Sequence, residues 1–448
     1  MKKVRKVFAL VLATVMAVLT LTACGSTESN QAQPTQGTAA ASSNDQAAAK
    51  KDVTLTIWHY LNDREAIMKD FAAQYEKQTG VKVDFQLYSG DQIKSKVQAA
   101  AQANSLPDAW VFSGGRVDLL KYAAAGNVLK LDDYGFKDWS SRFNQVILDQ
   151  VTATDADKST EGLSDIQAGI YGVPLDVNNM QFIYNKDLFQ KAGLDPDNPP
   201  KTWNEFIEAG KKLKAANIVP FATGIGSWVQ NSLTEQYQYA YMDKQTLSDS
   251  RTGKITYKAA GMENVLNMVA EMRDAKMFAD GVATMDLPTA EQMFVNGQVA
   301  MIYDGSWAIG VFSSMNPDFK NYGVFFPPKD ERAKNDPLIP GGIGAYFTVS
   351  KNSENAQDVV DFLKWLTDND QQVTYANTSF NLPANKDCID PTKLSPQTAE
   401  FANDMDKIQY TVPAYKDKPA ELYSKGIQLI VIGKSPASIV EQMDDSNK

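Results

Sequence analysis

The chain has one histidine, His59, and two cysteines, Cys24 and Cys388, too few for a thiolate cluster or a multi-histidine zinc site. A Ser-His-Asp triad would have to use His59, and no Gly-x-Ser-x-Gly elbow is present. The Gly-rich phosphate loop ending in Gly-Lys-Ser/Thr is missing too, which argues against ATP hydrolysis by this chain. Gly224-Ile225-Gly226 lacks the third glycine of a dinucleotide fingerprint. With 54 Asp+Glu, carboxylate pairs for glycoside hydrolysis can always be nominated, but sequence does not give the carboxyl separation that reaction needs. What remains is binding chemistry. Trp228 follows Gly224-Ile225-Gly226-Ser227 and is flanked by small residues rather than an apolar stripe, which favours an exposed stacking face. No cofactor and no metal is implied.

Composition narrows the class further. The 448 residues are 43% hydrophobic and 22% charged, ordinary globular material sufficient for two or three folding units. A formal charge of -10 argues against nucleic acid and anionic membrane surfaces as partners.

The N-terminus has the pattern of an exported chain. Lys2, Lys3, Arg5 and Lys6 precede an apolar run from Val7 to Ala23, a basic start and short apolar core that read as a secretory leader. The stretch ends in Leu21-Thr22-Ala23-Cys24-Gly25, which resembles the lipobox of bacterial lipoproteins. That resemblance implies acylation of Cys24 and cleavage before it. Gly25 to Lys50 is rich in Ser, Thr, Gln, Asn and Ala without apolar periodicity, and is expected to be a flexible tether.

From Asp52 onward strands and helices alternate. Val53-Thr54-Leu55-Thr56-Ile57 and Val81 to Leu87 alternate apolar with polar, as half-buried strands do, and Ala109 to Phe112 reads as a third strand. Between the first two, Asn62 is placed to cap a helix that Gly80 ends. The pattern restarts after Tyr171, with strands at Gln181–Tyr184, Ile218–Phe221, Val299–Tyr303 and Tyr322–Phe326. Thr202-Trp203-Asn204-Glu205 forms a capping box, and Asp358 to Thr367 an amphipathic helix. This alternation predicts two α/β lobes with mostly parallel sheets.

Several segments, in order along the chain, are similar to family 1 extracellular solute-binding proteins, the sugar receptors of ABC importers that include the maltose-binding type. They are Pro107-Asp108, Tyr171 to Asp176, Tyr184 to Phe189, Lys191 to Leu194, Phe294 to Met301 with Gly305-Ser306-Trp307, and Gly341 to Gly344 with Ser350-Lys351. The resemblance implies a two-lobed periplasmic-binding-protein-like (type II) fold with a hinge and an interlobe ligand cleft. The expected organisation is a leader at 1–23, lipidated Cys24 and tether at 24–51, one lobe from 52–176 with 345–385, and a second from 177–344 with 386–448.

A sugar offers apolar C–H faces and a rim of hydroxyls, so its site needs flat aromatic faces and acceptor-rich side chains. By resemblance, Trp58, His59 and Tyr60 fall at the cleft lip, and Asp304, Ser306 and Trp307 form the strongest candidate cluster, with backbone N–H groups offered at a helix start. Ser113 and Gly114 end a strand where small residues let a ligand approach. Asp176 and Asn178 sit at the implied hinge, Asp176 as a hydroxyl acceptor. Trp228, Gly341, Gly342 and Tyr346 complete the set. The expected function is capture of a carbohydrate, an oligosaccharide, for a membrane permease, by a monomer anchored through Cys24. The alternatives are a receptor for a peptide or polyamine, a secreted glycoside-acting enzyme, and an adhesion or structural lipoprotein.

Overall fold

The computed structural model of the chain describes residues 53–447 apart from 113, 410, 411 and 414. The leader, Cys24, the tether and Ser113 therefore lie outside the described residues. Among the described residues, thirteen strands follow one another. The first six are β1 (Thr54–His59), β2 (Lys82–Leu87), β3 (Ala109–Val111), β4 (Thr152–Ala153), β5 (Gly169–Ile170) and β6 (Val173–Pro174). Then come β7 (Asp176–Asn185), β8 (Val219–Ala222), β9 (Val299–Gly305), β10 (Tyr322–Phe325), β11 (Gly341–Ile343), β12 (Tyr346–Val349) and β13 (Leu382–Pro383).

They form two principal sheets, one per lobe. The first has the order β2-β1-β3-β12-β6; the second has β10-β7-β9-β8, with β11 and β13 also pairing on β7. β4 and β5 make a separate small ribbon. The sheets are mixed rather than mostly parallel: β1 runs parallel to β2 and β3, and β8 to β9, but β12 opposes β3, and β7 opposes both β9 and β10. The cause is the crossing between lobes. β7 and β12 begin at the interlobe face, where β1, β3, β8 and β9 end, so each crossing strand runs against its neighbours. Three short stretches carry the chain between the lobes: Pro174 to Asp176, Ile343 to Tyr346, and the stretch from Cys388, still packed at Asn369, to the helix Pro396–Ala402, which lies against β10.

Local signals position these elements. Gly80 ends the helix Glu65–Thr79 in the left-handed conformation, with its N–H donating to the Glu76 carbonyl. Thr202 and Glu205 form a reciprocal capping box on the helix Trp203–Ala215. Asn62 does not act as a cap; it opens a 3-10 turn, Asn62–Arg64, from which the helix continues. Cys388 is a free, buried thiol directed at Asn369. Among the described residues no helix is long and apolar enough to cross a membrane.

Candidate functional site

The strand ends of both sheets converge on two cavities that flank the crossing segment Gly341–Tyr346. One, of about 250 Å³, is lined by Tyr60 and Arg64 from the first lobe, Asn178 and Trp307 from the second, and Asp176, Gly344 and Asn381 at the crossings. The other, of about 360 Å³, is lined by Gly114, Arg116 and Tyr346 on one side, Glu235, Tyr239 and Arg251 on the other, with Gln150, Gly341 and Gln409 around them. Ligands of open α/β sheets bind outside such strand ends.

Trp307 lines the first cavity, and Trp228, from a separate segment, stands against it. Trp307 follows β9, and Trp228 follows the loop after β8; their rings lie 5.9 Å apart at 45°. Trp228 is 57% exposed, and Trp307 is half-buried. Glycines set both positions. A Cβ on Gly305 would lie 2.0 Å from the Trp307 ring, so the indole folds back over bare backbone. A Cβ on Gly226 would lie 2.5 Å from the Thr284 carbonyl, so the Gly224-Ile225-Gly226 loop owes its glycines to packing that pushes Trp228 outward. Tyr60 is half-buried, with its hydroxyl 3.5 Å from the Phe112 carbonyl.

The same cavity is walled by a buried ion network. The Asp176 carboxylate accepts from the Arg64 guanidinium at 2.9 Å, the Tyr375 hydroxyl at 2.5 Å and the Ala345 N–H at 2.7 Å. Arg64 also donates to Asn381 at 2.9 Å. Burial pushes the Asp176 carboxyl up, against the pull of Arg64, Tyr375 and the Ala345 N–H. With its oxygens engaged, Asp176 is a hinge tie between crossing segments rather than the free hydroxyl acceptor expected from sequence.

Other expected residues also sit elsewhere. Trp58 is in the first lobe's core, its edge against Tyr88 and Lys96 over its ring. His59 points to the opposite face of the strand, is fully buried and packs edge-on against Phe85; burial lowers its pKa, with Glu65 opposing. The period-two strand continues one residue too far inward for either to reach the lip, which falls to Tyr60. Asp304 is fully buried beside Glu291, and burial together with that neighbour holds its carboxyl well above the usual range. The N–H groups expected at the helix start are already used: Gly305 donates to Asp304 and Ser306 to the Asn179 carbonyl, while the Ser306 hydroxyl is buried. Gly342 is buried against the Gln150 amide with φ of 136°. Gly114, Asn178, Gly341 and Tyr346 do line the cavities, Tyr346 stacked on Phe112 at 5.7 Å.

Sequence reading missed Arg64, Arg116, Gln150, Glu235, Arg251 and Gln409. A usable signal existed for Glu235: the helix Val229–Tyr241 buries Gln230, Thr234, Gln236 and Gln238, an unusually polar inner face. Each cleft arginine has a carboxylate partner. Arg116 grips Asp157 through both terminal nitrogens at 2.7 and 2.8 Å, and Arg251 lies 3.8 Å from Glu235 while donating to Gln238 and the Pro413 carbonyl.

Residues 59–373 match the sequence profile of the bacterial extracellular solute-binding protein family. The chain belongs to that family. It is 27% identical over 226 residues to the sn-glycerol-3-phosphate-binding periplasmic protein of Rhizobium meliloti, an alignment covering 50% of this chain and 51% of the relative. The chain thus spans about half the length of the curated relatives it matches. Among solved structures, it is similar to a chain described in connection with xylan utilization by the thermophile Caldanaerobius polysaccharolyticus, with 26% identity, a TM-score of 0.70, and 88% of this chain and 100% of that chain covered. A chitin oligosaccharide binding protein shares the fold at 24% identity and a TM-score of 0.71, with 89% of this chain and 98% of that chain covered. The fold of this family member is thus the two-lobed one of solute-binding proteins.

Proposed function

We propose that this solute-binding protein captures a carbohydrate, an oligosaccharide, between its lobes and delivers it as a monomer to the permease of an ABC importer, without chemical change. The observation that carries the reading is the Trp228–Trp307 pair beside an interlobe cavity. Indole faces suit the C–H faces of sugar rings, and the surrounding amides and carboxylates suit the hydroxyl rim. The helix Val229–Tyr241 starts beside Trp228; at 1.5 Å per residue its Glu235 lies roughly 10 Å farther along. A ligand touching both ends must therefore be longer than one ring. The xylan-related and chitin-oligosaccharide neighbours point the same way.

In this reading, residues 52–176 with 345–385 form one jaw and 177–344 with 386–448 the other, and closure follows because ligand contacts both only when closed. Acylation of Cys24 holds the receptor at the extracytoplasmic face of the membrane. A Cys24→Ser protein should be released into the medium, whereas continued membrane retention would remove the anchor.

Calorimetry with xylo-, chito- and malto-oligosaccharides tests the ligand. The expected result is saturable binding of one series at unit stoichiometry, with a dissociation constant near 1 μM, about -8 kcal/mol, and the sugar recovered intact. Silence across sugars with binding of a peptide or polyamine would overturn the ligand class, and product formation would overturn the receptor reading.

A further inference from the structure

The second cavity has a chemical bias that aromatic stacking does not explain. Gln409 Oε1 is buried and has no hydrogen-bond partner, and Gln409 lies beyond the residues that match the family profile. Glu235, one-quarter exposed, faces the same cavity with Arg251 at 3.8 Å as its ion-pair partner. Leaving a buried acceptor unsatisfied costs free energy, and a ligand donor removes that cost. Cations available to an anionic ligand are scarce. Arg116 is held by Asp157, Arg64 by Asp176, and the terminal nitrogens of Arg251 donate to Gln238 and Pro413, which leaves a single buried donor without a partner on these arginines, the Arg251 Nε–H. No lysine lines either cavity.

We propose that Glu235 and Gln409 determine specificity at this end of the cleft, accepting hydrogen bonds from a terminal ring that carries hydroxyl or amino donors and excluding ligands that end in a carboxylate or phosphate. The inference rests on the carbohydrate reading above and adds the class of sugar: neutral or amino-bearing, not acidic. It also separates this chain from relatives named for binding sn-glycerol 3-phosphate. A phosphate needs several unpaired donors such as free arginine forks or lysines, whereas this cavity offers one unpaired N–H, on Arg251 beside the Glu235 carboxylate, against the acceptors of Glu235 and Gln409.

The test is calorimetry of the wild-type protein, Glu235→Gln, Gln409→Leu and Trp307→Ala, each checked for an unchanged far-UV spectrum and melting temperature. The probes are xylotriose, chitotriose, maltotriose, trigalacturonate and sn-glycerol 3-phosphate. Wild type should bind one neutral or amino-sugar trisaccharide at least about 100-fold more tightly than either anion. Glu235→Gln should weaken that binding about 10-fold or more, as expected for a hydrogen bond to a charged group, and narrow the gap to trigalacturonate. Gln409→Leu should weaken it severalfold, which keeps the proposal open to refutation if Glu235→Gln perturbs Arg251. Binding left at the wild-type level in both variants, while Trp307→Ala loses it, would overturn this inference and leave the carbohydrate reading standing. Tighter binding of either anion than of the trisaccharides would overturn it as well. A wild-type protein that binds no sugar would overturn the carbohydrate reading and this inference with it.

Discussion

Around Trp307 the cleft is a stacking surface beside a buried ion network; around Glu235 it is a set of acceptors whose outer ion pair, Arg116–Asp157, is nearer to water. Arg64 and Asp176, beside the aromatic end, have side chains 11% and 2% exposed, while Arg116 and Asp157, at the polar end, are 26% and 14% exposed. The same pairing of charges therefore has different weight at the two ends. A buried carboxylate is expensive to strand beside its arginine, whereas a pair in contact with water contributes little. The aromatic end thus shares the stability of the hinge, and the outer pair of the polar end can vary in sequence with less structural consequence.

The largest expected effect tests the hinge. Asp176→Asn leaves Arg64 charged and under-compensated in a closed site, and should cost about 3–5 kcal/mol in denaturant unfolding. A loss below about 1 kcal/mol would mean that Asp63, 3.1 Å from Arg64 at the surface, compensates, and that the two ends do not differ as described. Next, Trp307→Ala should weaken oligosaccharide binding by roughly 30- to 100-fold, about 2–3 kcal/mol, the loss typical of a central aromatic anchor. Calorimetry should show the change in affinity with little change in unfolding free energy, because Trp307 is only half-buried.

Gly305→Ala sharpens the same end without removing the ring. Its Cβ must push the indole off the backbone, so binding should fall about 10-fold and stability by roughly 1–3 kcal/mol. If the alanine protein binds as wild type does, the indole position seen here is not the one that meets ligand. Trp228→Ala should do less than either: at 57% exposure it has little to lose in folding, and affinity should fall only severalfold.

These effects separate what was readable in the sequence from what was not. The strand periodicities, the capping box at Thr202 and the two-lobed fold were legible because they follow from local patterning and from motifs spread along the chain. Trp228 was legible through its small neighbours, and Trp307 through its motif. The lip of the first lobe was misplaced by one or two positions: strand alternation puts Trp58 and His59 into opposite cores, and nothing in the sequence marks where pairing stops. Asp176 was placed correctly in the chain but given the wrong partner, since Arg64 reaches it only after the hinge forms. Asp304 failed for the reverse reason. Its neighbours in sequence point to the cleft, but β9 alternation turns its own side chain inward to Glu291. Gln409 carries no local signal at all; only folding brings it opposite Glu235.

The smallest effect is expected at the polar end's outer pair, and its sign can be worked out. The Arg116 hydrogen bond, with further bonds from Thr154, holds the Asp157 carboxyl down at about 2, against an ordinary value of 3.8. A depressed folded pKa means the carboxylate contributes stability that is fully present above pH 3.8 and is lost as pH falls through about 2. The pair touches water, so Asp157→Asn should cost only about 1 kcal/mol at pH 6. Arg116 keeps its bonds to the Asp149 and Thr152 carbonyls in that variant, so the cleft wall stays in place and sugar affinity should change less than about 2-fold. Urea unfolding of wild type and Asp157→Asn between pH 6 and pH 2.5 provides the check. The gap between the two should hold steady down to about pH 4 and then close. A gap independent of pH would show that Asp157 acts through hydrogen-bond geometry rather than charge, and a gap as large as that for Asp176→Asn would erase the distinction between the two ends.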